Sequence, residues 1–72
     1  MKKVKMGIIG YGNMGKRHVK SIMDGAIPNM ELGAVCDTDE NKLEAVKNLY
    51  PDIPVFTDVE EMYKSGLIDS VL

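Results

Sequence analysis

The chain has 72 residues, of which 44% are hydrophobic and 28% are charged, and this globular composition excludes an intrinsically disordered protein. A single cysteine, Cys36, excludes an intrachain disulfide and a multi-cysteine metal site. The net charge of −2, the few aromatic residues and the short extent of the basic segment argue against nucleic-acid binding, and no apolar run reaches the ~18 residues of a membrane span. We therefore expect a cytoplasmic protein with neither a nucleic-acid nor a membrane partner.

The first predicted strand is the segment KVKMGIIG, because its apolar residues form the nearly continuous run that is typical of a strand buried on both faces. A helix follows from about Met14 to Met23 and is closed by Gly25 and Pro28. The residues that share one face of this helix are Gly15, Val19, Ile22 and Met23. We expect that face to pack against the sheet.

The segment MELGAVCD predicts a second strand that ends at Asp37. The segment TDENKLEAVKNLY predicts a second helix, whose acidic first turn suits the positive end of the helix dipole. Its expected core residues are Leu43, Val46, Leu49 and Tyr50.

A short third strand is predicted at the residues VF with Thr57. Thr57 and Glu60 have the spacing of a capping box at the start of a third helix. That helix continues through Met62 and Tyr63 and is stopped by Gly66. The segment LIDSVL then begins a fourth strand.

Strands and helices alternate along the whole chain, which predicts an α/β fold with a parallel sheet. Right-handed crossovers give the strand order 3-2-1-4, with the first two helices on one face and the third on the other. We therefore expect a partial Rossmann fold with helices on both faces of its sheet. We expect residues 1–72 to be a truncated fragment that ends within the fourth strand.

Three glycines with the spacing G-x-G-x-x-G separate the first strand from the first helix. In this setting Gly10 permits a tight turn, Gly12 lets the backbone approach a pyrophosphate, and Gly15 lets the helix pack close to the strand. The free N–H groups at the start of the helix, with Asn13 and Met14 among their donors, would face the phosphates. The pattern therefore predicts a dinucleotide-binding loop.

An acidic residue, Asp37, ends the second strand 22 residues after Gly15 and could accept hydrogen bonds from the adenine ribose hydroxyls. Its carboxylate would repel the 2′-phosphate of NADP, and no arginine follows within ten residues, so we expect NAD rather than NADP. Asp37 could also cap the second helix, although Asp39 is the better candidate for the cap. Within the glycine loop, Tyr11 is expected to cover the pocket.

The segments GIIGYGNMGKRH, AVCD and FTDVEEMYKSGLIDSVL resemble the amino-terminal part of the glucose–fructose oxidoreductase and inositol dehydrogenase (Gfo/Idh/MocA) family across essentially the whole chain. His18, three residues after the last glycine, matches the family pattern G-x-G-x-x-G-x-x-H. The resemblance implies an NAD(P)-dependent oxidoreductase of a sugar, an inositol or a related polyol. It also implies a second α/β domain that carries substrate contacts and often oligomer contacts, and hence a homo-oligomeric parent protein.

The chain lacks the other motifs of that family: an Ala-Thr-Pro-like loop after the fourth strand, a Glu-Lys-Pro motif with the catalytic lysine, and a histidine of the substrate domain. We therefore assign no catalytic or metal-binding residue and expect the chain alone to be inactive. Two alternatives remain open. One is a non-catalytic nucleotide-binding or redox-sensing module. The other is a flavoprotein, in which Glu is more common than Asp after the second strand.

Overall fold

The computed structural model describes residues 3–71. Within them four strands alternate with three helices, in the order β1 (Val4–Ile9), α1 (Asn13–Met23), β2 (Met30–Cys36), α2 (Glu40–Leu49), β3 (Val55–Phe56), α3 (Val59–Lys64) and β4 (Ser70–Val71). The strands form one parallel sheet in the order β3-β2-β1-β4. The predicted Rossmann-like sheet is therefore confirmed.

The two faces of the sheet are covered unequally. On one face, α1 and α2 pack against a core whose buried members include Met6, Ile8, Val19, Ile22, Val35, Leu43 and Val46. On the other face, α3 contributes the fully buried Met62, which packs with Ala34 and Cys36. The expectation that the first two helices share one face and the third takes the other is thus confirmed.

The pairing of β1 with β2 contains a one-residue register shift. Met6 is level with Leu32, but Gly7 is level with Ala34, so Gly33 is left without a partner in β1. A side chain at position 33 would overlap the carbonyl oxygen of Leu67, because the segment that leads into β4 crosses the sheet at this point. A glycine in this strand therefore marks a bulge and a close backbone approach.

Two residues expected on buried helix faces are exposed: Met23 to 42% and Leu49 to 65%. Each is the last residue of its helix, where the chain turns into a loop. Two residues of the first strand also differ from the expectation of burial on both faces, since Val4 and Ile9 are exposed at its two ends. The short α3 packs over β2 and β3, so it does not shield Ile9.

The capping box predicted at Thr57 was wrong. The N-cap of α3 is Asp58, whose carboxylate accepts a hydrogen bond from the backbone N–H of Glu60 at 2.8 Å. Aspartate is as good an N-cap as threonine, so the chain caps the helix one residue later and leaves Thr57 exposed.

The fourth strand is described at Ser70 and Val71, whereas Leu72 lies outside the described residues. None of the helices in residues 3–71 combines the length and the apolarity that crossing a membrane requires.

Candidate functional site

The turn that leaves β1 depends on Gly10, whose φ of +91° lies in the left-handed region that side chains disfavour. Its N–H donates a 2.8 Å hydrogen bond to the carbonyl oxygen of Cys36 at the end of β2. This hydrogen bond therefore fixes the start of the turn beside the end of the neighbouring strand β2.

The third glycine of the motif, Gly15, is buried where α1 crosses this turn. A Cβ atom at position 15 would overlap the carbonyl oxygen of Gly10 and lie 2.9 Å from its carbonyl carbon. Glycine is thus required here by the contact between the helix and the turn, as the sequence predicted.

No contact within the part of the chain that the structure describes requires a glycine at the second position of the motif, Gly12. It is the N-cap of α1 with φ −81° and ψ −161°, which any residue can adopt, and a Cβ atom there would meet nothing within 4 Å. No side chain caps the helix, and its first turn contains no acidic residue. The first N–H groups of a helix lack intrahelical partners and carry its positive dipole end. The open space beside Gly12 therefore suits an anionic group that approaches the backbone.

This space belongs to a cleft of about 430 Å³ between the end of β1 and the start of α1. Of the predicted site residues, five line it: Gly10, Gly12, Asn13, Met14 and Gly15. Ile8, Ile9 and the half-buried His18 complete the lining. His18 was singled out from the sequence only through the family pattern, and the structure places it at this cleft.

Tyr11 does not cover the cleft. Its side chain is only 3% exposed and packs into the core beneath the loop, because the chain turns inward between Gly10 and Gly12. Burial and the neighbouring Tyr50 raise the pKa of its phenol, and the ammonium of Lys16 lies 5.8 Å from the ring centroid. What Tyr11 contributes to the site is therefore its backbone.

That backbone N–H of Tyr11 donates a 2.8 Å hydrogen bond to Oδ2 of Asp37. The other carboxylate oxygen, Oδ1, accepts a 2.8 Å hydrogen bond from the N–H of Asp39. These two hydrogen bonds hold the pKa of Asp37 below its usual range, and the bond from Tyr11 has the larger effect. The half-buried carboxylate is therefore ionised at neutral pH. Asp39 in turn caps α2 through the N–H of Asn41, as expected.

A larger groove of about 610 Å³ lies at the outer edge of β3, between α2 and α3. Its lining includes Glu40, Glu44 and Glu61 beside a single cation, Lys47. Three carboxylates disfavour an anionic ligand, and no glycine loop reaches the groove. The free backbone N–H groups at the start of α1, which favour an anion, therefore indicate the smaller cleft as the candidate site.

Comparison with solved structures finds close agreement of the backbone. Scyllo-inositol dehydrogenase from Lactobacillus casei with bound NAD(H) and scyllo-inositol is 31% identical with a TM-score of 0.85, over 99% of this chain and 21% of that chain. Myo-inositol 2-dehydrogenase from Lactobacillus plantarum is 31% identical with a TM-score of 0.84, over 97% of this chain and 20% of that one. The WlbA dehydrogenase from Bordetella pertussis, in complex with NADH and UDP-GlcNAcA, is 26% identical with a TM-score of 0.82, over 97% and 21%.

The chain thus spans about a fifth of the length of these structures. A comparison with curated proteins found no match. The family model described as "Oxidoreductase family, NAD-binding Rossmann fold" matches residues 4–72, nearly the whole chain. The chain therefore belongs to the Gfo/Idh/MocA oxidoreductase family and corresponds to part of its NAD-binding Rossmann fold.

Proposed function

We propose that the chain is the NAD-binding part of a longer dehydrogenase or reductase that acts on a sugar, an inositol or a related polyol. The observation that carries the proposal is the open backbone at Gly12, at the uncapped start of α1 and one residue from the Tyr11–Asp37 hydrogen bond. Support for the substrate class comes from the two inositol dehydrogenases among its structural relatives, one of them with bound NAD(H) and scyllo-inositol.

The pyrophosphate of the dinucleotide would lie beside Gly12, where a side chain would otherwise stand. The N–H groups of Asn13 and Met14 belong to the first turn of α1 and are available as donors to phosphate oxygens. The same end of the helix dipole favours the negative charge. NAD supplies hydride transfer when bound, whereas this part of the chain supplies the placement of the cofactor.

The adenine ribose would lie against Asp37. A carboxylate has about four acceptor positions, and the bonds from Tyr11 and Asp39 occupy one on each oxygen. The remaining positions can accept the two ribose hydroxyls. A 2′-phosphate would instead bring like charge against an ionised carboxylate, so we propose that NAD binds in preference to NADP.

In this proposal none of the described residues takes part in the chemical step. General acid–base catalysis needs a group within hydrogen-bond reach of the substrate hydroxyl, and the family resemblance assigns that work to a lysine and a histidine in motifs that the chain lacks. We therefore propose that the chain binds NAD without oxidising a polyol by itself. A purified chain that oxidised inositol or a sugar with NAD would contradict this.

Calorimetric titration of the chain with NAD+ and NADP+ tests the proposal. We expect NAD+ to bind more tightly than NADP+. Gly12→Ala should weaken NAD+ binding at least about 10-fold while the circular dichroism spectrum is unchanged, because the backbone at position 12 accepts alanine and only the ligand's space is filled.

The matched control is Asn48→Ala, which alters the larger groove and should leave NAD+ affinity unchanged. Asp37→Ser should weaken NAD+ and shift the preference towards NADP+. Absence of NAD+ binding, tighter binding of NADP+ by the unmodified chain, or an effect of Asn48→Ala in place of Gly12→Ala would each contradict the proposed site.

A further inference from the structure

We infer that Asp37 has a second task, which rests on the proposed function: its carboxylate positions the glycine loop for the pyrophosphate by holding the backbone N–H of Tyr11. This task is separate from contact with the ribose. Asp37 acts here through the loop and does not itself touch the phosphates, so it is a positioning residue.

The geometry gives the loop one anchor at its middle. Tyr11 stands between Gly10 and Gly12, the two residues of the loop with the greatest conformational freedom. Its N–H points back to Oδ2 of Asp37 at 2.8 Å, and its side chain is buried in the core. Position 11 is thus held on both its backbone and its side chain. Ordering a loop costs free energy on binding unless the free protein has already ordered it.

The carboxylate is itself held in place. Oδ1 accepts the N–H of Asp39, the N-cap of α2, while the N–H of Asp37 donates to the carbonyl oxygen of Phe56 at 3.1 Å. The anchor of the glycine loop therefore rests on the ends of β2 and β3 and on the start of α2. These elements are all on the β2 side of β1, so the loop is fixed from one direction.

Electrostatics and positioning predict opposite results for a ligand that has phosphates but no ribose. Removing a negative charge close to an anion strengthens its binding by Coulomb's law. Removing the anchor of the loop weakens it. Inorganic pyrophosphate therefore separates the two effects, because it engages the loop and has no hydroxyls for Asp37 to bind.

The sharpest experiment removes single N–H groups by replacing an amide with an ester, which leaves every side chain and the charge of Asp37 intact. The chain of 72 residues is short enough for total synthesis by ligation. An ester at the nitrogen of Tyr11 deletes the hydrogen bond to Oδ2, and an ester at the nitrogen of Asp39 deletes the matched bond to Oδ1 of the same carboxylate. Pyrophosphate binding is followed by NMR titration.

We expect the Tyr11 ester to raise the pyrophosphate Kd by about 2- to 10-fold, the range set by one hydrogen bond. The Asp39 ester should raise it by a smaller factor, because Asp37 then still accepts the N–H of Tyr11 and still donates its own N–H to Phe56. Asp37→Ala should also raise the pyrophosphate Kd, even though a negative charge has been removed. Hydrogen exchange at the amides of Gly10 and Lys16, which donate to the carbonyl oxygens of Cys36 and Gly12, should be faster in Asp37→Ala than in the unmodified chain.

Equal pyrophosphate affinity for the Tyr11 ester and the unmodified chain overturns the positioning task and leaves NAD binding intact. Tighter pyrophosphate binding by Asp37→Ala overturns it in the same way, since electrostatics would then be the dominant effect. If the unmodified chain binds neither pyrophosphate nor NAD+, the proposed function fails and the positioning task fails with it.

Discussion

Gly15→Ala adds one methyl group at the contact between α1 and the turn after β1. The new Cβ would overlap the carbonyl oxygen of Gly10 and stand 2.9 Å from the carbonyl carbon. Backbone atoms cannot rotate away as a side-chain end can. The helix must therefore retreat from the turn by roughly 1.5 Å to reach an ordinary contact distance.

Two effects of opposite sign set the size of the loss. Alanine is favoured over glycine inside a helix by about 1 kcal/mol. A helix that retreats also loosens Val19 and Ile22, the buried residues by which α1 packs on the sheet, and overpacking of this kind costs about 1–3 kcal/mol or more. Because the clash is with backbone, we expect the upper part of that range to apply and the free energy of unfolding to fall by about 1–2 kcal/mol net.

Urea unfolding followed by circular dichroism measures this change, and Gly12→Ala is the matched control. At position 12 the backbone is compatible with alanine and a Cβ meets no atom within 4 Å, so Gly12→Ala should leave stability unchanged or raise it by about 0.4–1 kcal/mol. If Gly15→Ala is as stable as Gly12→Ala, the close contact between helix and turn does not constrain this fold and the reasoning is refuted.

Three further predictions concern other parts of the chain. Met62→Ala should lower the free energy of unfolding by about 2–5 kcal/mol, because Met62 is fully buried and is the sole buried residue of α3. Replacement of the exposed neighbour, Tyr63→Ala, should lower it by less than about 0.5 kcal/mol in the same urea experiment. Asp58→Ala should cost about 0.5–2 kcal/mol through loss of the α3 cap, and Thr57→Ala, at the position expected from sequence, should cost less; equal losses would contradict the assignment of the cap. The pKa of Asp37 is lowered in the folded chain from its ordinary value of 3.8, so its contribution to stability is present above that value and is lost as the pH falls below it; thermal unfolding between pH 6 and pH 2 should show a smaller acid loss for Asp37→Asn than for the unmodified chain.

The order of elements and the topology of the sheet could be predicted because each rests on local pattern. Apolar runs, helical spacing and the glycine motif all agree along the chain, and right-handed crossovers then leave one arrangement of four strands. Gly10 and Gly15 were predicted for the same reason, since a left-handed turn and a close helix contact both require glycine.

Exposure at element ends could not be predicted, because it depends on where neighbouring elements stop. Leu49 has the helical spacing of a core residue, but it ends α2 and is left in solvent. The N-cap of α3 was predicted at the wrong residue because Thr57 and Asp58 are both good N-caps. Which of the two caps the helix depends on where β3 ends in the fold.

The burial of the Tyr11 side chain and the hydrogen bond from its N–H to Asp37 could not be predicted from the sequence either. The two residues are 26 positions apart, and their meeting depends on the register of β1 against β2. The sequence suggested a role for Asp37 towards a ligand and gave no sign of its bond to the loop. A hydrogen bond between a backbone N–H and a distant side chain leaves no pattern that spacing can reveal.

That register contains a one-residue shift at Gly33, which has no partner in β1. The extra residue changes which face of the sheet the following residues of β2 occupy. Leu32 and Val35 face α1 and α2, while Ala34 and Cys36 face α3; strict alternation from Leu32 would put Val35 on the α3 side instead. The same extra residue decides on which side Asp37 emerges, and it brings the carboxylate to the side where Tyr11 is buried. A single residue inserted or deleted in β2 downstream of Gly33 would therefore turn Asp37 towards α3, although every residue of the glycine loop stayed the same.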